Sequence, residues 1–392
     1  MDLKSRIRRR RRTGTTATLV LDYEAISPIA HVSEPTGRGP VLERLLDYLD
    51  PVFDGDLPPN AYVWGPIGAG KSAVVTALWA NLAGQLSESQ SVIHTTTRSQ
   101  TTNAPQFVYV DSREASSTFA QYRAILDAIS DESVPEKGIG TDTLETRLTN
   151  SLRAGGASVL VAVDHVGEPE TPDLATVADR LDSLGASLTW VAVGRTNPET
   201  LAVDLPPERI ELPAYRRHDL VDILTSRASE GLAERALQHE QTRDIADWAE
   251  GNAHDAFAAL FGAADRAARK GRSRIHSEDI TAGMMDVPRP CSSLGRVMAL
   301  PQNRQLVLRT FVDLDEHARE SVERTTEAIA DAASVDLTPG TVKRFLYELA
   351  ETGIIERVQR ETGDDSHGRP PSRVEPRFPI TVFRRLYDIR TE

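Results

Sequence analysis

Cysteine is nearly absent: the 392 residues hold one, Cys291. A single thiol excludes an internal disulfide framework and a cysteine-based zinc site, and it suits a reducing compartment. Long apolar runs are missing too. No stretch of about 18 apolar residues occurs, so no membrane-spanning helix and no membrane partner are expected. The arginine-rich start has no apolar segment behind it, which argues against a secretory signal and for a cytoplasmic location. Lysine is scarce: Lys4, Lys71, Lys137, Lys270 and Lys343 are the only five, against 40 arginines. What remains is ordinary, with 40% hydrophobic and 26% charged residues. That composition belongs to a globular chain of about two to four domains, not to a disordered one.

The net charge is −13 and unevenly spread. Residues 1–12 carry +6, residues 291–392 carry −2, and the stretch between holds −17. An acidic, lysine-poor, arginine-using chain resembles proteins of salt-in halophilic archaea, where high net charge keeps proteins soluble. A GC-rich genome, which favours arginine codons, is the alternative source of the bias. The basic head reads either as a nucleic-acid or membrane-surface contact or as a solvated tail without a partner.

Periodicity separates the chain into parts. Residues 1–25 lack helical periodicity and are expected to form a basic, mobile arm. Residues 26–205 alternate helices with short apolar strands at Ala61–Trp64, Phe107–Asp111, Val159–Asp164 and Leu188–Val193. Strands apolar on both faces, separated by helices, predict a parallel sheet covered on both sides. Residues 206–287 hold helical signals only: Arg217–Ala228, Glu240–Glu250, Ala253–Lys270 and Ser277–Met285. Pro288 and Pro290 open a last part, residues 288–392, with three or four helices, a strand at Ile354–Val358 and a return strand near Arg373–Phe378.

One motif is complete. Gly65-Pro66-Ile67-Gly68-Ala69-Gly70-Lys71-Ser72 matches G-x-x-x-x-G-K-[ST], between a predicted strand and a predicted helix. Its glycines turn backbone N–H groups toward phosphate, Lys71 reaches the β- and γ-phosphates, and the Ser72 hydroxyl ligates Mg²⁺. The cofactors expected are ATP or ADP with Mg²⁺. Asp164, at the end of VLVAVD, is placed to hold that magnesium through water. In most ATPases of this kind a glutamate follows directly and polarises the attacking water. Here His165 follows, with Glu168 and Glu170 beyond it. Binding is therefore better supported than hydrolysis. Exchange of His165 for glutamate is expected to accelerate turnover. After Leu188–Val193, one of Arg195, Thr196 and Asn197 is expected to sense the γ-phosphate, as a polar residue does there in the AAA+ subclass.

From about residue 27 onward the chain resembles the archaeal Orc/Cdc-type replication initiators, and it looks like a diverged paralogue. The blocks GRGPVLERLLDYLDPVFDGDLPPNAYVWGPIGAGKSAVV, FVYVDSREASSTFAQYRAIL, ELPAYRRHDLVDILTSRA, GNAHDAFAALFGAADRAARKGRSRIHSEDI and LTPGTVKRFLYELAETGIIERV carry the resemblance through their order and spacing. It implies an AAA+ P-loop α/β core, an all-α lid and a C-terminal winged-helix domain. It implies that Arg38 lies near the adenine and that Tyr215 opens the lid. It puts His254 where the family's lid carries a phosphate-touching arginine, so a weaker, pH-dependent contact is expected there. No arginine finger stands out; Arg195 and Arg209 are the candidates.

Thr338-Pro339 fits a capped helix start. The helix that follows puts Val342, Phe345, Leu346 and Leu349 on one face, with Thr341, Lys343 and Arg344 on or near the other. Inserted in a major groove, Lys343 and Arg344 would reach phosphates or base edges. The loop carrying Arg360, His367, Arg369 and Arg373 reads as a wing for a narrow groove. With these elements, the resemblance to the initiators implies double-stranded origin DNA as partner, a replicative helicase to be loaded, and oligomers on DNA. Two alternatives stand beside this reading. One is a plasmid- or provirus-encoded DNA-binding regulator. The other is a signalling P-loop switch that uses its winged helix for protein contacts.

Overall fold

The apolar runs pair side by side as one parallel sheet. The computed structural model describes residues 18–93, 105–130, 133–154, 158–359 and 372–391. Strands β1 (Ala61–Trp64), β2 (Gln106–Asp111), β3 (Val159–Val166), β4 (Leu188–Gly194) and β5 (Glu208–Glu211) lie in the order β2-β3-β4-β1-β5. Helix α1 (Gly39–Phe53) precedes β1, and α2 (Lys71–Ile93), α3 (Thr118–Ile129), α4 (Thr141–Ala154) and α5 (Leu174–Asp182) lie between strands.

Alternation along the strands builds two cores. Leu160, Ala162, Val191 and Val193 meet Leu45 and Leu49 of α1 and Val74 and Leu78 of α2 on one face. Val161, Val163, Trp190 and Ala192 meet Ile125, Leu148, Val177 and Leu181 on the other. Helices on both faces explain why β3 and β4 are apolar nearly throughout. Two elements escape the sequence reading. β5 (ERIE) buries only Ile210, as an edge strand does. α5 is a short amphipathic helix begun by Asp173, whose carboxylate accepts the Thr176 N–H at 2.8 Å.

Residues 31–219 form one compact unit, and residues 220–391 together with 18–30 form another. The second holds α6 (Arg217–Gly231, begun in the first), α7 (His239–Ala249), α8 (Ala253–Arg269), α9 (Ser277–Met285), α10 (Leu294–Met298), α11 (Gln302–Phe311), α12 (Val322–Ala330), α13 (Pro339–Glu351), β6 (Ile355–Gln359), β7 (Ser372–Pro376) and α14 (Ile380–Thr391). β6 and β7 pair antiparallel, Ile355 opposite Pro376 and Gln359 opposite Ser372. Four helices, α10 to α13, followed by a hairpin follow the order expected for the tail, where three or four helices were expected. α14 was not expected; it buries Val382, Phe383 and Leu386.

Part of the N-terminal expectation is corrected. Residues 1–17 lie outside the described residues, but residues 18–25 are fastened rather than mobile. Leu19 and Val20 are buried, and Val20 bridges to Leu232. The Tyr23 hydroxyl donates to buried Asp265 of α8 at 3.0 Å, and burial beside that carboxylate pushes its pKa up to about 12. Arg269 and Arg385 of α14 face the same aspartate, at 2.6 and 3.8 Å. One buried carboxylate thus ties three separate stretches of sequence together within this unit.

Candidate nucleotide site and nucleic-acid interface

The glycine loop leaves β1 and enters α2, so its N–H groups and the helix N-terminus share one anion-binding corner. Gly65, Gly68 and Gly70 all have positive φ. At Gly70 (φ 78°) a Cβ would strike the Tyr215 hydroxyl, and at Gly65 it would strike the Leu212 carbonyl. Lys71 is buried, and its Nζ donates to the Gly65 and Pro66 carbonyls at 2.8 Å each. Burial, with Arg195 nearby, pushes its pKa down to about 8, while Asp164 and Glu168 pull the other way. An ammonium so desolvated favours an arriving anion.

Arg38 and Tyr215 are brought together, against the loop itself. The Arg38 guanidinium stacks 3.5 Å from the Tyr215 ring centroid, and its Nη2 donates to the Ala69 carbonyl at 2.5 Å. Arg38 is only 4% exposed, so this brace holds Ala69 and Gly70 from behind.

Across the sheet, the register of β3 against β4 shifts between Val163 and Val166. This bulge re-aims the strand end. Asp164, 1% exposed, accepts the Tyr109 hydroxyl at 2.7 Å on Oδ2 and the His165 N–H at 2.7 Å on Oδ1. Burial, and then the Asp164 charge, push Tyr109 far above the usual phenol range. His165 sits at φ 63°. Its Nδ1 lies 3.0 Å from Glu168 Oε1, and its Nε2 lies 3.6 Å from Asp164 Oδ2 and 4.0 Å from Asp111 Oδ2. Arg113 closes the cluster with an ion pair to Asp111 at 2.5 Å. Tyr109, Asp111 and Arg113 were not singled out in the sequence. The one signal for them was position at the end of β2, with Asp111 in register with Asp164.

Of the three expected sensors, the structure brings Arg195 into the site, 2.7 Å from Glu168 Oε1. Asn197 is spent elsewhere: its side-chain oxygen accepts the Glu199 N–H at 3.0 Å and caps a 3₁₀ turn at Pro198–Thr200. Thr196 is exposed. Arg209 is exposed on edge strand β5. His254, in the other unit, is also engaged. Its Nε2 accepts the Leu294 N–H at 2.9 Å, so in the neutral ring Nδ1 donates to Asp255, 3.0 Å away. Nε2 therefore joins α8 to α10, while Nδ1 stays within α8. With Cys291 these residues are the one cluster of His, Cys and carboxylate ligand atoms among the described residues. The Leu294 bond occupies Nε2, and the Nδ1 proton points at the cluster's carboxylate, which leaves no lone pair for a metal.

In α13 the Thr338 side chain accepts the Thr341 N–H, with Pro339 in the first turn, as expected. Each basic side chain there has an acidic neighbour: Lys343 with Glu323 at 3.1 Å, Arg344 with Glu348 at 3.7 Å, and Arg373 of β7 with Glu375 at 2.5 Å. The Thr341 hydroxyl lies 3.0 Å from that of Thr338. Arg357 on β6, not singled out before, stacks 4.8 Å from the Tyr347 ring centroid. Arg360, His367 and Arg369 lie outside the described residues.

Residues 34–191 match the family model of the AAA ATPase domain. The chain is 24% identical over 368 residues to the ORC1-type DNA replication protein 11 of Haloarcula marismortui, covering 88% of this chain and 86% of the relative. It is 25% identical to the ORC1-type DNA replication protein 1 of Aeropyrum pernix, covering 80% and 82%. The solved structure of the Aeropyrum pernix ORC1 protein in complex with DNA superposes with a TM-score of 0.62, at 20% identity, over 96% of this chain and 99% of that one. The P-loop between β1 and α2, the strand order and the length of the match agree: residues 34–191 match an AAA ATPase domain, and most of the chain is similar to archaeal ORC1-type DNA replication proteins.

Proposed function

We propose that this chain is a nucleotide-dependent replication-initiation protein. It binds double-stranded DNA at replication origins and helps load the replicative helicase, in a halophilic cytoplasm. The observation that carries the reading is the buried Lys71 in a glycine loop, with Asp164 and Arg195 beside it. The phosphates of ATP or ADP take the loop N–H groups and Lys71, and Arg38 and Tyr215 hold the loop in shape. Ser72 offers a hydroxyl and Asp164 a carboxylate. Both are hard oxygen donors of the kind Mg²⁺ accepts, so these two residues would hold it. When bound, the ion supplies charge neutralisation at the phosphates. On the DNA side, Thr341, Lys343 and Arg344 of α13 and Arg373 of β7 are the proposed contacts, joined by Arg360 and Arg369.

Chromatin immunoprecipitation tests the reading. Peaks at replication origins are expected. Peaks at promoters with none at origins would replace it with the plasmid- or provirus-type regulator. A protein-contact role has its own support in the acidic neighbours of Lys343, Arg344 and Arg373. Absence of DNA binding at every salt concentration would favour that reading.

A further inference from the structure

Position 165 lacks the carboxylate that a water-activating residue needs, yet the site holds one. Beyond the bulge the chain turns at Gly167 (φ 75°), and the Thr171 hydroxyl pins that turn by donating to the His165 and Glu168 carbonyls at 2.7 and 2.9 Å. The turn sends Glu168 back under His165. Its side chain is only 3% exposed. Oε1 is held from two sides, by His165 Nδ1 at 3.0 Å and Arg195 at 2.7 Å. Oε2 is buried and has no hydrogen-bond partner among the described residues. An ionised oxygen buried without a donor is costly, and a fold keeps one chiefly where function uses it. Glu168 also shares its field with Lys71, Asp164 and Arg113. Despite burial, its hydrogen bond with His165 and the nearby Arg195 charge hold its carboxyl below the usual range.

We propose that Glu168 Oε2, displaced three residues from the usual position, is the acceptor that orients water for attack on the terminal phosphate of ATP. The proposal rests on the nucleotide reading above. The water oxygen bonds to the γ-phosphorus as the bond from that phosphorus to the β,γ-bridging oxygen breaks. The electron pair stays on the ADP oxygen, and the water proton passes by way of Oε2 to solvent. ADP and inorganic phosphate leave. Phosphoryl transfer asks mainly for positioning, so an acceptor fixed by His165 and Arg195 is suited to it even with low basicity. His165 is then a positioning residue: it fixes Oε1 and leaves Oε2 directed at the water.

The test uses the full chain in high salt. Binding of a fluorescent ATP analogue and release of inorganic phosphate are measured for the parent, Glu168→Gln, Lys71→Ala and the double variant His165→Glu/Glu168→Gln. Glu168→Gln keeps shape and the Arg195 contact, so ATP binding is expected to persist while phosphate release falls about 10²–10⁴-fold. The double variant is expected to recover part of that loss. A Glu168→Gln protein that binds ATP and turns over at the parental rate overturns the proposal. So does a parent that binds ATP yet releases no more phosphate than Lys71→Ala. Equal ATP binding in parent and Lys71→Ala sinks the nucleotide reading instead, which keeps the two failures apart.

Discussion

Gly70 and Gly84 show how much a single Cβ can mean. At Gly70, with φ 78° and the Tyr215 hydroxyl in the way, alanine must strain the loop or expel the brace. Gly84 lies inside α2 with open space around its Cβ position. Gly70→Ala is expected to weaken ATP binding at least tenfold. Gly84→Ala is expected to leave binding alone and to stabilise by about 0.5–1 kcal/mol, since glycine is the poorer helix former. Thermal melts and nucleotide titrations on the two variants check both. Asn197 allows a similar separation. As a turn cap it should cost about 1 kcal/mol of stability when changed to alanine, with ATP affinity unchanged. A large loss of affinity without loss of stability would return it to the phosphate. The Asn197 example also shows where sequence reading stops. Three polar residues follow β4, and nothing in their order says which one the turn consumes. The P-loop was legible residue by residue because its chemistry is local. Tyr109 and Asp111 were not, because strand register brings the end of β2 beside β3; Arg195 was only one of three candidates.

At the scale of elements, α9 and α14 meet at a buried carboxylate. Asp286 accepts the Thr381 N–H at 3.0 Å, and burial pushes its pKa up from 3.8 to about 6 against that hydrogen bond and the Arg384 charge. The folded chain thus prefers Asp286 protonated. Between about pH 4 and pH 6 it holds more proton than the unfolded chain, so stability falls as pH rises through that window and the contribution is lost above it. Asp286→Asn keeps an acceptor for Thr381 and removes the charge. It should stabilise the chain at neutral pH by an amount of the order of 1 kcal/mol, read as a raised melting temperature, and the gain should vanish toward pH 4. An equal gain at both pH values would contradict this. His254 joins elements in the same way. His254→Ala leaves the Leu294 N–H unpaired and should cost about 1–3 kcal/mol. Periodicity found most helices because they are amphipathic over two turns or more. It missed β5, with one buried residue, and the helices α5 and α14.

The whole molecule carries its charge in opposition to its proposed partner. The middle of the chain holds −17, while the candidate DNA contacts are a few arginines and one lysine in a nearly neutral tail. Salt then acts twice on binding: it screens the repulsion of the acidic body and weakens phosphate contacts. Arg344→Ala should cost about 1–3 kcal/mol at one base position if it reads a base, whereas loss of a phosphate contact should weaken all sequences alike and lower the salt slope by about one. A salt series with origin DNA separates these, with folding followed by circular dichroism. Among the described residues no helix is long and apolar enough to cross a membrane. All of this presumes that nucleotide occupies the P-loop unit. Titration of the full chain with ATP, parent against Lys71→Ala, tests that most directly. Removal of the buried ammonium is expected to abolish binding, and equal affinity in the two proteins would contradict the account.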